Sequence, residues 1–137
     1  MLSDTVERSN VEPMVREFYA MLVKDDLVGP YFVNALGADL NNDKWYEHYQ
    51  TLNHFWIMLM TGEPGYLGDP FGPHAFLPNL SPEVFARWLE RFDVHIRKYY
   101  TTELADKFYK KADILSEQFM QRLEIGKYAE DEDDEWA

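Results

Sequence analysis

Residues 45–56 read WYEHYQTLNHFW, and their spacing is that of one amphipathic helix. Trp45, His48, Leu52, Phe55, Trp56 and Leu59 recur at intervals of three and four, which places them on one face of a 3.6-residue repeat. That face is apolar except for the imidazole of His48. A second imidazole, His74, follows in a region broken by Pro70, Pro73 and Pro78. The question is whether the chain folds around something held between the two.

Outward from this helix, the polar segment Gly37 to Asp43 leads in, and Gly62 and Pro64 end it. Earlier in the chain, Val11, Met14, Val15, Phe18, Tyr19, Leu22 and Val23 make a strong helical stripe. Ser9 and Glu12 have capping-box spacing before it, and Pro13 suits only a first turn. Asp25 and Asp26 are placed to start a short helix running through Leu27 towards Phe32. Residues 62–80, GEPGYLGDPFGPHAFLPNL, hold four glycines and four prolines, so no long helix crosses them. Tyr66, Leu67, Phe71, Phe76, Leu77 and Leu80 make this an ordered loop packed on the core. Pro73 is suited to open one turn containing His74.

Ser81 and Pro82 read as N-cap and first helical residue. Phe85, Trp88, Leu89, Phe92, Ile96 and Tyr99 continue as a buried stripe. Thr101 or Thr102 restarts the chain, and Leu104, Ala105, Phe108, Ala112, Leu115 and Phe119 form a last helix. The division expected is a flexible leader over 1–8, one all-α domain over 9–126 and an acidic tail over 127–137. A simple four-helix bundle is disfavoured by the long interruption before the last two helices.

Composition narrows the chemistry. Aromatics make up 16% of the 137 residues, enough ring surface to wall a site for a flat apolar ligand. The chain has no cysteine, which excludes disulfides, thiolate metal ligands and a cysteine nucleophile. Formal net charge is −12, and the body stays acidic without the six acids from Glu130 to Glu135. Binding of nucleic acid or of an anionic membrane by charge is therefore not expected. The opening MLSDTVERSN lacks the pattern of an export signal, and the apolar run Phe55 to Met60 is far short of a membrane span. A cytoplasmic location is the expectation.

Haem needs an apolar slot between helices and a basic ligand for its iron, and neutral imidazole suits iron. His74, outside a long helix, is the better candidate for the proximal ligand. His48 would face the other side. Two strong axial histidines would close the iron, whereas one would leave room for a gas, and the pattern alone permits both. Tyr19 and Trp88 lie on apolar stripes, where a buried phenol O–H and indole N–H each want an acceptor. Dioxygen on iron gathers partial negative charge on its outer atom, so Tyr19, His48 and Trp88 are candidate donors to it.

The ordered set of residues resembles a group III truncated haemoglobin, a short bacterial globin. It comprises Phe18–Tyr19, the run Asp25 to Phe32, Trp45 with His48, Leu52, Phe55–Trp56, Tyr66 with Gly68, His74, and Phe85, Trp88, Leu89 and Phe92. It spans roughly residues 9–123. The resemblance implies a two-over-two helical sandwich around haem b. It implies His74 as proximal iron ligand, Tyr19, His48 and Trp88 as distal residues, and Leu52, Phe55, Trp56 and Tyr66 as cofactor-binding residues. His54 falls off the apolar face and reads as solvent-facing. His95 reads as a helix-packing or rim residue.

The leading function is binding of dioxygen and related small ligands such as nitric oxide. A nitric oxide dioxygenase or a peroxidase-like enzyme is the alternative. It would need an external reductase, because the chain has no flavin or nicotinamide domain. Slow release of dioxygen would argue against oxygen transport. A cofactor-free acidic helical interaction module is a reading from another class. A carboxylate di-iron bundle is disfavoured, because no Glu-x-x-His pair occurs.

Overall fold

The computed structural model describes residues 1–66, 68 and 80–123, and among them are five helices. These are α1 Arg8–Leu22, α2 Gly29–Leu36, α3 Asp43–Thr61, α4 Pro82–Ile96 and α5 Thr102–Arg122. No helix among the described residues is long and apolar enough to cross a membrane. His74 and residues 124–137 lie outside the described residues, as do Pro70, Pro73, Pro78 and the tail.

The start of α1 differs from the expected one. Its N-cap is Glu7, and the Glu7 backbone N–H donates to Asn10 Oδ1 at 3.2 Å, so Ser9 and Glu12 are not the capping pair. Pro13 consequently sits in the second turn. Lacking an N–H, it leaves the Ser9 carbonyl without its intrahelical donor, at an exposed position where water can serve. Asn10 Oδ1 also accepts from the Tyr100 hydroxyl at 2.8 Å. The Ser3 N–H donates to the Tyr99 carbonyl at 2.8 Å, and Thr101 N–H returns a bond to Ser3 at 3.0 Å. The first residues are thereby tied to the α4–α5 turn.

The second helix begins at Gly29 rather than at Asp25. The Asp25 carboxylate instead accepts from the backbone N–H of Leu27 (2.9 Å) and Val28 (3.0 Å), which holds that segment as a turn. Gly29 must be glycine, because a Cβ there would stand 2.3 Å from the Val23 carbonyl oxygen. Pro30 then falls in the first turn of α2, where its missing N–H costs nothing.

The central helix α3 starts as its sequence suggests. Asn42 caps it, accepting from Trp45 N–H at 2.9 Å, and the Asn42 side-chain amide donates to the Leu36 carbonyl at 2.8 Å. The Trp45 indole donates to the Gly37 carbonyl at 2.8 Å, pinning the α2–α3 connection. Gly62 ends the helix in the left-handed region at φ 80°. α3 packs on α1, α5 packs on α4, and α1 crosses to α4. The result is one pair of helices laid over another.

Aromatic rings join the two layers. Phe92 of α4 is stacked between Trp56 of α3 (5.0 Å) and Trp88 (4.8 Å), and Phe18 of α1 meets both Trp88 and Phe92 edge-on at 5.4 Å. Each such pair contributes about 0.5–1.5 kcal/mol beyond its buried area. His95 is buried in the same region. Its Nε2–H donates to the Met14 carbonyl oxygen at 2.9 Å, and its ring lies 5.4 Å from Phe18. It is thus a helix-packing residue between α4 and α1, as expected. His54 is half-exposed, off the apolar face.

Candidate functional site

α3 is buried on more of its circumference than one stripe. Trp45, Tyr49, Asn53, Trp56 and Ile57 are buried, while His48 and Leu52 are half-buried beside them. The reason is a cavity of about 230 Å³ bounded by α1, α2, α3, α4 and α5. Tyr19, His48, Leu52, Phe55, Trp56, Tyr66 and Trp88 all line it. Every expected site residue that the structure describes is therefore brought to one space. His74, the expected iron ligand, lies outside the described residues.

The walls of the cavity differ in chemistry. α4 and α5 supply Val84, Phe85, Ala112, Leu115 and Phe119, which are apolar. Polar groups gather where α1, α3 and α4 meet. Tyr19 and His48 touch edge-on with ring centroids 5.3 Å apart, and Phe32 of α2 closes on Tyr19 at 5.1 Å. The Trp88 indole lies beside the Tyr19 phenol, both rings meeting Phe18 edge-on (5.4 and 5.2 Å), close enough to lower the phenol's pKa. Burial pushes the Tyr19 phenol well above its ordinary range, more than the Trp88 indole lowers it. Tyr19 stays protonated at neutral pH and keeps an O–H to give.

Three features of the lining were not legible as site residues. Val28 and Phe32 looked like part of a short helix. Phe85 and Phe119 looked like plain core. Ser116 falls within the apolar stripe of α5, four residues after Ala112, and that spacing was the available signal. Its Oγ is buried without a hydrogen-bond partner among the described residues, and its side chain lines the cavity. A second hollow, about 210 Å³, lies at Met21, Lys24, Asp25 and Arg91, away from these rings.

The Asp25 carboxylate beside that hollow is only 4% exposed. Burial would raise its pKa, but the Val28 and Leu27 N–H groups and the Arg87 guanidinium outweigh burial and hold it at about 2.

No family profile matches the chain. It is 28% identical to the group 3 truncated haemoglobin ctb of Campylobacter jejuni over 123 residues, which are 90% of this chain and 95% of that one. The crystal structure of the group III truncated haemoglobin from Campylobacter jejuni superposes with a TM-score of 0.82 over the same shares, at 28% identity. The chain belongs to the group III truncated haemoglobins. Its paired helices are the two-over-two sandwich of that family, as the resemblance implied. A WSC domain-containing protein of Arthroderma benhamiae is 32% identical over 83 residues, but this truncated haemoglobin spans only 9% of its length.

Proposed function

We propose that the cavity holds haem b, with His74 as its iron ligand and with Tyr19, His48 and Trp88 facing a diatomic ligand on the other side. In general terms the family makes this chain a haem-binding, oxygen-binding globin. The residues present fit the group. The cavity is apolar over most of its wall, it is lined by rings from several helices, and Tyr19, His48 and Trp88 come together on it. The Ser116 Oγ on the α5 wall, without a partner among the described residues, is a further polar group that a bound ligand would satisfy. Bound there, haem would supply an iron able to take an imidazole ligand and to bind dioxygen or nitric oxide.

The chain's own residues do the rest. With the Trp88 indole N–H turned to its oxygen, Tyr19 would keep its own hydrogen to donate into the cavity. That donation would also make the phenol a stronger donor, because it polarises the O–H. His48 stands edge-on to Tyr19 and borders the cavity at the Thr51 and Leu52 turn, where it adds a second donor or controls access. Phe32, Leu52 and Phe55 exclude water, which strengthens each of these bonds. The observation that carries this reading is the Tyr19–His48–Trp88 cluster at one wall of an apolar cavity.

A titration of the purified protein with haemin tests it, ferric and then reduced, with and without carbon monoxide. The expected result is a one-to-one Soret band that sharpens with carbon monoxide and is lost or greatly altered in His74→Ala. Absence of a saturable band in folded protein would overturn the reading and turn attention to the acidic surface.

The same donor cluster favours a second reading, oxidation of nitric oxide to nitrate or cleavage of peroxide. Both need an electron donor outside this chain. Nitric oxide consumption under air with a supplied reductant, reduced in Tyr19→Phe, would support the enzyme; consumption no faster than free haemin would exclude it.

A further inference from the structure

Asp25 lies in the α1–α2 turn and gathers donors from two layers of the sandwich. Its Oδ1 takes the Leu27 and Val28 N–H groups, and Arg87 Nη1 reaches both carboxylate oxygens at 3.3 and 3.1 Å. Arg91 Nε reaches Oδ2 at 3.2 Å. Arg87 also touches Asp26 at 3.2 Å, but Asp26 is 93% exposed, so water screens that pair. The buried hub is Asp25.

The two arginines sit one helical turn apart on α4, and Trp88 lies between them in the chain. On the other side of the hub, Val28 lines the cavity and Phe32 packs on Tyr19. One carboxylate thus joins the end of α1 to α4 on the outside of the molecule. Inside, Trp88 of α4 and Tyr19 of α1 both meet Phe18 edge-on, at 5.4 and 5.2 Å, and both line the cavity.

We propose that Asp25, gripped by Arg87 and Arg91, is a positioning residue that sets the Trp88 indole against the Tyr19 phenol. The inference rests on the reading of Tyr19 and Trp88 as the ligand-facing pair. Aromatic packing between α1 and α4 tolerates sliding, since edge-on contacts hold over a range of centroid distances. A hydrogen bond does not, because it weakens steeply with angle and beyond about 3.2 Å. Two charge-assisted contacts on a buried carboxylate, from Arg87 Nη1 and Arg91 Nε, supply the directional constraint that the rings lack. Removing the charge leaves backbone donors still satisfied by an amide oxygen but frees α4 to shift.

The test is ¹⁹F NMR of the full chain labelled with 5-fluorotryptophan, with Trp88→Phe and Trp45→Phe assigning two of the four signals. Asp25→Asn should shift or broaden the Trp88 signal beyond its linewidth. Trp45, fully buried and bonded to Gly37, should not move, and Asp26→Asn should move neither. An unmoved Trp88 signal in folded Asp25→Asn would overturn the proposal. If Asp25→Asn does not fold, Arg91→Lys and Arg87→Lys keep the charge and lose the Nε and Nη1 donors placed by the planar guanidinium. A shifted Trp88 signal in either supports the proposal, and an unmoved signal in both overturns it. In haem-loaded protein, the carbon monoxide stretch of Asp25→Asn should move in the same direction as that of Trp88→Phe; an unchanged band would count against the role. The NMR result needs no haem, so it stands apart from any failure of the haem reading.

Discussion

Tyr19 and His48 meet edge-on, ring centroids 5.3 Å apart and planes at 87°, although they belong to different helices 29 positions apart in the chain. With Trp88 beside the same phenol on the cavity wall, Tyr19 is the centre of the cluster. A donor in a water-excluded pocket is worth about 1–3 kcal/mol. Tyr19→Phe is therefore expected to speed dioxygen dissociation roughly 5- to 150-fold. Stopped-flow replacement of dioxygen by carbon monoxide measures it. An unchanged rate would mean that the hydrogen bond comes from elsewhere.

Phe92 carries the stacking between the layers, with Trp56 on one side and Trp88 on the other. Phe92→Ala should destabilise the protein by about 3–5 kcal/mol, the cost of a large buried ring and its cavity. It should also weaken the near-ultraviolet circular dichroism of both tryptophans. Urea unfolding and that spectrum check the two effects, and a loss below about 1 kcal/mol would show that the core closes around the gap.

His95 is held neutral. Burial lowers its pKa, and the Nε2–H bond to Met14 does not reverse this. The folded state then binds fewer protons than the unfolded one just below about pH 6.5. Stability present above that pH is lost as pH falls towards the lowered value. The urea midpoint of the wild type should drop between pH 7 and pH 5 (roughly the histidine range,) more than that of His95→Gln. Parallel curves would disprove the contribution.

Asp25 acts in a more acidic window. Its folded pKa is about 2, below the ordinary 3.8, so the stability it confers is full above the unfolded value and is lost as pH falls towards 2. Asp25→Asn should flatten the acid limb of the unfolding curve between those values. Acid titration followed by far-ultraviolet circular dichroism would show it, and identical acid limbs would contradict it.

Gly29 has no room for a side chain, since its Cβ position lies 2.3 Å from the Val23 carbonyl oxygen. Gly29→Ala should cost roughly 1–3 kcal/mol, because the clash is with backbone rather than a movable side chain. Thermal melting of the variant tests this, and an unaltered melting temperature would mean that the α1–α2 turn gives way easily.

The helices were legible because their signals are local. The stripe through Trp45, His48, Leu52, Phe55 and Trp56 is a property of one helix, and so are the Gly62 end and the Ser81–Pro82 start. The start of α1 was misread for a physical reason. Two overlapping cap patterns compete there, and Asn10 wins because Tyr100, 90 residues away, bonds the same oxygen.

By itself, the sequence determined the helical periods, the acidic charge, the absence of thiol chemistry and, through its ordered motifs, the family. The tertiary structure decided which polar groups share a cavity. It turned Asp25 from an apparent helix start into a buried hub for two arginines, and placed Ser116 on the cavity wall. Periodicity assigns a residue to a face of its own helix. The partner of a buried carboxylate or hydroxyl is chosen only when helices distant in the chain come within hydrogen-bond reach and water leaves the space between them.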